Sequence, residues 1–296
     1  MPPESLGATP APTTETAAPP VLVLRRCALA VSVLHDVDLR LGLTGIRLPG
    51  TPVVQVGWAE ARRALATADP EGHEAYRRLH GWLTARRWIA DSAPEKLTRT
   101  ARPVALPPDA PVHPGADWAH RRVLGDALDV GLGFVGLDPA RPDDVVIVPA
   151  GALQAAGVDT VRLWTAADAY LETMGRIAAA RYDRDPTAPL RPLGDCDVLT
   201  LLAAQTFRAA LVATTGGMRT VAVPMRTRGW LDLSRIDPAF ALAAAAATEP
   251  DQRGFDRPVL LTRDEVTAAR TGGRPAAAAL ADPAGRTEGL RPALFR

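Results

Sequence analysis

Lysine is nearly missing from this chain. Among 34 basic residues, Lys96 is the single lysine and the other 33 are arginine. A P-loop requires Gly-Lys-Ser/Thr, a protein kinase its strand lysine, and an aldolase or pyridoxal enzyme a Schiff-base lysine. Lys96 stands in Pro94-Glu95-Lys96-Leu97, which is the context of none of them, so these families are excluded. The skew towards arginine, with heavy use of alanine and proline, is otherwise what codon bias in a GC-rich genome produces. It selects no family in their place.

Cysteine is also scarce. Cys27 and Cys196 lie 169 positions apart, outside any CxxC or Cys/His cluster, which excludes a structural zinc site and argues against a disulfide framework. Net charge is close to absent: 34 basic against 33 acidic residues leave +1, so no global field draws the molecule to nucleic acid or an anionic membrane. No long apolar run occurs. Val21 to Leu34 is too short to span a bilayer and carries Arg25 and Arg26. The first twenty residues hold six prolines, two glutamates and no basic group, the composition of a disordered arm and not of a signal or transit peptide. The expected location is the cytoplasm, with no membrane contact.

What is present is a globular composition: 296 residues, 47% hydrophobic and 23% charged, enough to bury a sizeable core. Period-two stretches over 21–34 and 37–56 predict strands joined at Pro49-Gly50. Helices follow from Gly57 to Ala68 and, after Asp69-Pro70-Glu71, to about Ala90. Leu97 to Leu106 reads as a strand, 117–130 as a helix, Leu132 to Leu137 as a buried segment and Val145 to Val148 as a strand before a further helix. Thr165-Ala-Ala-Asp168 resembles a capping box for a helix through Arg181, and Asp195 to Val212 is expected to be another. Gly216-Gly217 suits a tight turn into a strand, and Pro238 to Thr248 suits a helix. Val259 to Leu261 reads as a strand leading to a second capping box, Thr262 to Glu265. The expected organisation is an arm (1–20), an N-terminal α+β domain (21–102), a Pro-rich linker (103–116), a C-terminal α/β domain (117–270) and a flexible tail (271–296). The fold class is α/β or α+β, a mixed sheet with packed helices in two subdomains.

Charge is uneven along the chain. Residues 58–102 hold nine basic and six acidic groups, whereas residues 103–160 hold three and eight. Gly131-Leu-Gly133-Phe-Val-Gly136 matches GxGxxG, but a helix-like segment precedes it and a loop follows. That reverses the dinucleotide context and leaves a glycine-rich buried strand or turn. The histidines, His35, His73, His80, His113 and His120, show no metal-binding spacing, and no cofactor is implied by them. Asp36/Asp38, Asp183/Asp185 and Asp195/Asp197 are i, i+2 pairs that could share Mg²⁺, although Asp195 also suits the N-cap of the helix after it and Asp183/Asp185 suit a helix end. Cys196, between two carboxylates, is a poor nucleophile.

Arginine spacing supplies the remaining candidates. Arg77, Arg78, Arg86 and Arg87 interleave with Tyr76, Trp82 and Trp88 on the second of two helices followed by a strand pair, an order that resembles a winged helix able to contact DNA phosphates. Read as one strand, 219–235 puts Arg226, Arg228 and Trp230 on one face beside the Gly216-Gly217 turn, where they could hold an anionic or planar ligand. The leading expectation is a non-enzymatic regulatory or adaptor module that binds a protein partner or a small anionic ligand through that surface. The alternatives are a Mg²⁺-dependent enzyme of phosphate, nucleotide or sugar-nucleotide chemistry using Asp195 and Asp197 or Asp36 and Asp38, and a DNA binder using the helix arginines.

Overall fold

The structure is a computed structural model, and it describes residues 21–110 and 112–268. The expected arm at 1–20 and tail at 271–296 lie outside the described residues. Internal contacts divide the chain at Asp91/Ser92 into two compact units.

The first unit opens with helix α1 (Val21–His35), where strands were expected. Its buried residues, Leu24, Cys27, Ala28 and Val31, follow helical spacing, and the alternation misled because Leu22, Leu29 and Val33 are apolar and exposed. Strands β1 (Arg40–Leu41), β2 (Gly45–Leu48) and β3 (Val54–Gly57) then form an antiparallel meander. Helix α2 (Trp58–Leu65) and helix α3 (His73–Asp91) complete the unit. Inside it, the Arg86 guanidinium lies 2.9 Å from Glu60 Oε1, which also accepts from Trp82 Nε1 at 2.9 Å.

The second unit begins with helix α4 (Pro94–Thr100) and strand β4 (Ala101–Leu106). Residues 103–106 of the expected linker are therefore strand, and the division of the chain falls before them. Strands β5 (His120–Val123) and β6 (Leu128–Val135) replace the expected helix over 117–130. The reason is local: Leu124, Gly125 and Asp126 have φ of 60°, 64° and 67°, a left-handed run that turns the chain back and cannot be helical. Strand β7 (Val145–Ile147) pairs with the far end of β6, and helix α5 (Ala150–Ala155) follows. Helix α6 (Thr160–Arg184) starts earlier than the sequence suggested, because Asp159 accepts from the amides of Val161 and Arg162 as N-cap. The helix expected over 195–212 is two, α7 (Val198–Ala203) and α8 (Gln205–Val212), capped by Asp197 and not by Asp195.

Strand β8 (Met218–Met225) and strand β9 (Arg228–Trp230) form a hairpin, so 219–235 is not one strand. Helix α9 (Pro238–Ala246) and strands β10 (Val259–Thr262) and β11 (Val266–Ala268) close the described chain. Thr262 to Glu265 is a turn between strands, with the Glu265 amide donating to Thr262 Oγ1 at 2.9 Å, and starts no helix. Both sheets of this unit, β4-β6-β5 with β7 and β11-β10-β8-β9, are antiparallel throughout, so neither is mixed. Helices and antiparallel sheets together place the chain in the α/β or α+β class. One apolar core unites Leu128 and Val130 of β6, Leu199 of α7, Phe207 and Leu211 of α8, Val221 and Val223 of β8, and Leu261 of β10.

Alternation along β6 decides what the other face carries. With Leu128 and Val130 in the core, Asp129, Gly131 and Gly133 turn to the opposite face. There Trp118 lies over Gly131, where an added Cβ would overlap the indole, and donates from Nε1 to Leu132 O at 2.9 Å. The GxGxxG string is thus a strand through Val135 that ends in a turn at Gly136, where φ is 68°. Gly131→Ala is expected to destabilise the second unit by about 1–3 kcal/mol through overpacking, read as a lower urea midpoint. An unchanged midpoint would contradict the packing of Trp118 on bare backbone.

In the first unit the rings of His35 and His80 stack with centroids 4.1 Å apart. Burial first, and the charge of His35 second, hold His80 below the ordinary histidine value of 6.5. The unfolded chain therefore takes this proton before the folded one does, so stability present above 6.5 is lost as pH falls through and below it. His80→Phe should reduce the loss of melting temperature between pH 7.5 and pH 5.5 (about two units of pH spanning the transition). An equal loss in both proteins would show that His80 is not the acid-sensitive group.

Candidate metal centre

The face of β6 that carries Asp129 gathers the chemistry. Arg122 of β5 pairs in register with Asp129, and His120 pairs with Gly131, so both share its side of the sheet. The chain between β4 and β5 returns over this face and brings His113 and Trp118 with it. His113 Nε2 lies 3.1 Å from Asp129 Oδ2, and His120 Nε2 lies 3.9 Å from the same oxygen. One donor atom from each of the three residues falls within 4.8 Å of the others, and this is the one such His/Cys/Asp/Glu group among the described residues.

Burial and hydrogen bonding define the state of each group. Asp129 is 1% exposed, and its Oδ1 accepts from Arg122 Nε at 3.3 Å. His120 Nδ1 sits 2.8 Å from the carbonyl of Trp118. A carbonyl only accepts, so Nδ1 carries a proton, and in the neutral ring Nε2 then presents its lone pair towards Asp129. In that form two acceptors face each other across 3.9 Å, a gap a cation could bridge. His113 Nε2 is buried and makes no hydrogen bond, although Asp129 Oδ2 lies 3.1 Å away. His113 Nδ1 accepts from the Gly115 amide at 3.0 Å. Ligation through Nε2 requires that proton on Nδ1 and the Gly115 amide turned away; Gly115 has φ +81° and nothing near its Cβ position.

Aromatic packing rigidifies the group. Trp118 stacks on His120 with centroids 5.4 Å apart and meets His113 edge-on at 5.4 Å. No spacing motif announces this centre, since the three residues stand at intervals of seven and nine. The available signal was Asp129 itself, a carboxylate inside the apolar run Leu128 to Val135, followed by glycines on its own strand face.

The candidates taken from the sequence are placed otherwise. Asp195 Oδ2 lies 2.5 Å from Arg102 Nε and accepts from the Tyr170 hydroxyl at 3.1 Å, while Asp197 Oδ2 lies 2.5 Å from Arg226 Nε. Each carboxylate of that pair is thereby matched to an arginine. Asp36 and Asp38 are exposed and join no metal-type group. Arg226 also donates to Asp251 O at 3.1 Å and lies in the β8–β9 turn, apart from Arg228, whose guanidinium is 5.6 Å from the Trp230 ring centroid. Trp230 packs edge-on against Phe240 at 5.3 Å. Gly216 and Gly217, with φ of 69° and 85°, make the turn before β8. Arg77 and Arg78 both pair with Glu74, Arg86 with Glu60 and Arg87 with Asp91, so all four helix arginines already have carboxylate partners.

Both thiols are inert for a physical reason. Burial, then Asp197 and Asp195, push Cys196 up to about 12, and burial pushes Cys27 up to about 11. Native protein at pH 8 (below either value) is expected to leave an aromatic disulfide reagent unreacted, with two thiols per chain titrating after denaturation. Rapid labelling of the native protein would contradict the burial of both side chains.

No helix among the described residues is long and apolar enough to cross a membrane. Comparison with protein-family models, with curated proteins and with solved structures finds no match to this chain.

Proposed function

We propose that the chain is a metal-binding protein whose second unit holds one divalent transition ion on His113, His120 and Asp129. The observation that carries this reading is convergence: two imidazole nitrogens and a carboxylate oxygen lie within 4.8 Å of one another, with the buried His113 nitrogen 3.1 Å from the carboxylate yet making no hydrogen bond. Zinc bonds of about 2.0–2.2 Å set neighbouring tetrahedral donors about 3.4 Å apart. The distances of 3.1 and 3.9 Å to Asp129 Oδ2 straddle that value. Two nitrogens and one oxygen suit zinc and its neighbours in the transition series better than Mg²⁺ or Ca²⁺, which prefer all-oxygen shells. The acidic balance of residues 103–160 favours a cation there.

Three protein ligands leave a position for water or a ligand, the arrangement of reactive and not of closed structural zinc sites. His120, with its side chain 22% exposed, marks the side open to solvent. A bound ion at that position polarises an oxygen ligand or lowers the pKa of water, which are the steps of metal-assisted hydrolysis. A second reading is supported by the Gly115 contact, which places the neutral His113 proton on Nε2: a purely structural cluster that balances a buried carboxylate.

Calorimetric titration of metal-stripped protein with Zn²⁺ separates the two. Wild type is expected to bind one ion, with Asp129→Asn and His120→Ala each weakening binding by at least about tenfold, as expected when a ligand or its support is removed. Circular dichroism of each variant verifies that it is folded. Absence of binding by wild type, or equal binding by folded Asp129→Asn, would leave the structural cluster as the answer.

A further inference from the structure

A groove of about 510 Å³ runs between α4 and α6 in the second unit, away from the residues of the metal centre. Its lining is unequal in charge: Arg99 and Arg162, together with Arg102 that is already paired to Asp195, stand against the single carboxylate of Glu95. Arg99 and Arg162 are exposed, and their guanidiniums have no ion-pair or hydrogen-bond partner among the described residues. That sets them apart from the arginines of α3, each of which has a carboxylate partner.

Arg102 is held in place. Its Nε lies 2.5 Å from Asp195 Oδ2, its Nη1 donates to the carbonyls of Arg99 and Ala101 at 2.9 and 3.0 Å, and its guanidinium covers the Tyr170 ring at 4.1 Å. With a side chain 16% exposed, it is a fixed positive group beside two free ones. The floor is small: Ala166 and Ala169 on α6 and Ala101 on β4 leave room for a body of modest size, with Tyr170 supplying an aromatic wall.

We propose that this groove binds a small organic phosphate, its phosphoryl oxygens taken by Arg99 and Arg162 beside Arg102 and its apolar or planar body lying on the alanine floor. Guanidinium forks match phosphate oxygens two at a time, and the planar, weakly hydrated cation loses little on desolvation. Two exposed guanidiniums lining the same groove as a fixed third suit a multiply charged oxyanion better than a single carboxylate.

The test is a thermal-shift and calorimetric series in EDTA with inorganic phosphate, pyrophosphate and phenyl phosphate as probes. Phenyl phosphate is expected to bind more tightly than inorganic phosphate, and the exposed double substitution Arg99→Ala/Arg162→Ala to weaken it at least about tenfold, the scale of losing charge-assisted hydrogen bonds. Arg228→Ala and Asp129→Asn should both retain the response, which separates this groove from general surface charge and from the metal centre. No response to any probe, equal affinity for phosphate and phenyl phosphate, or an unchanged response in the double variant would overturn the proposal.

Discussion

Asp129 is a carboxylate buried in the middle strand of a sheet, and compensating it organises the surrounding structure. An isolated ionised carboxylate at that depth is prohibitively costly, so its neighbours must supply charge or hydrogen bonds. Strand alternation forces the problem: Leu128 and Val130 belong to the main core, which leaves Asp129 on the face beneath Trp118. Bare backbone at Gly131 lets the indole descend, the segment before β5 brings His113 to the carboxylate, and cross-strand pairing sets His120 on the same face. The tight turn at Leu124 to Asp126 sets the β5–β6 register that places Arg122 opposite it. The candidate site is thus a consequence of how β6 is packed.

The arginine excess has a structural use. Arg208, 6% exposed, donates to Leu202 O at 2.7 Å and Arg263 O at 2.8 Å, and burial lowers its pKa. Arg253 donates to Thr248 O at 2.9 Å and Arg87 to Pro52 O at 2.8 Å. A planar guanidinium can bond several backbone carbonyls while its stem packs against apolar surface, a task for which an ammonium is poorly shaped. Arginines so employed have fewer donors left for a ligand, which is why Arg226 and the α3 row contribute less binding surface than their spacing suggests. Arg99 of α4 and Arg162 of α6, which line one groove, are not employed in this way.

Much of the fold was legible from local signals of different kinds. The alternation of Val54 to Gly57, the β-branched run Val145 to Ile147, the alanine-rich stretch Pro238 to Ala246 and the Gly216-Gly217 turn each form what their residues favour. The pattern failed where both faces are apolar, as in Val21 to Leu34, and where a left-handed turn interrupts a stretch of good helix formers, as at Leu124 to Asp126. Asp195 and Asp197 could not be told apart as caps from composition, since the choice depends on Arg102 and Tyr170 from distant elements. The candidate centre was hidden for the same reason. While 117–130 reads as a helix, Asp129 has no face in common with His120; once it is a hairpin, cross-strand pairing brings them together.

X-ray absorption at the zinc edge of the protein loaded with one equivalent of Zn²⁺ tests the central claim most directly, because it reads the donor atoms themselves. A shell of two imidazole nitrogens and one carboxylate oxygen at about 2.0–2.2 Å, completed by a light atom from solvent, is the expected result. A shell of oxygen alone would place the ion on surface carboxylates, and a spectrum of the hydrated ion would mean no site. Either outcome would contradict the account of Asp129 and its two histidines as a metal centre.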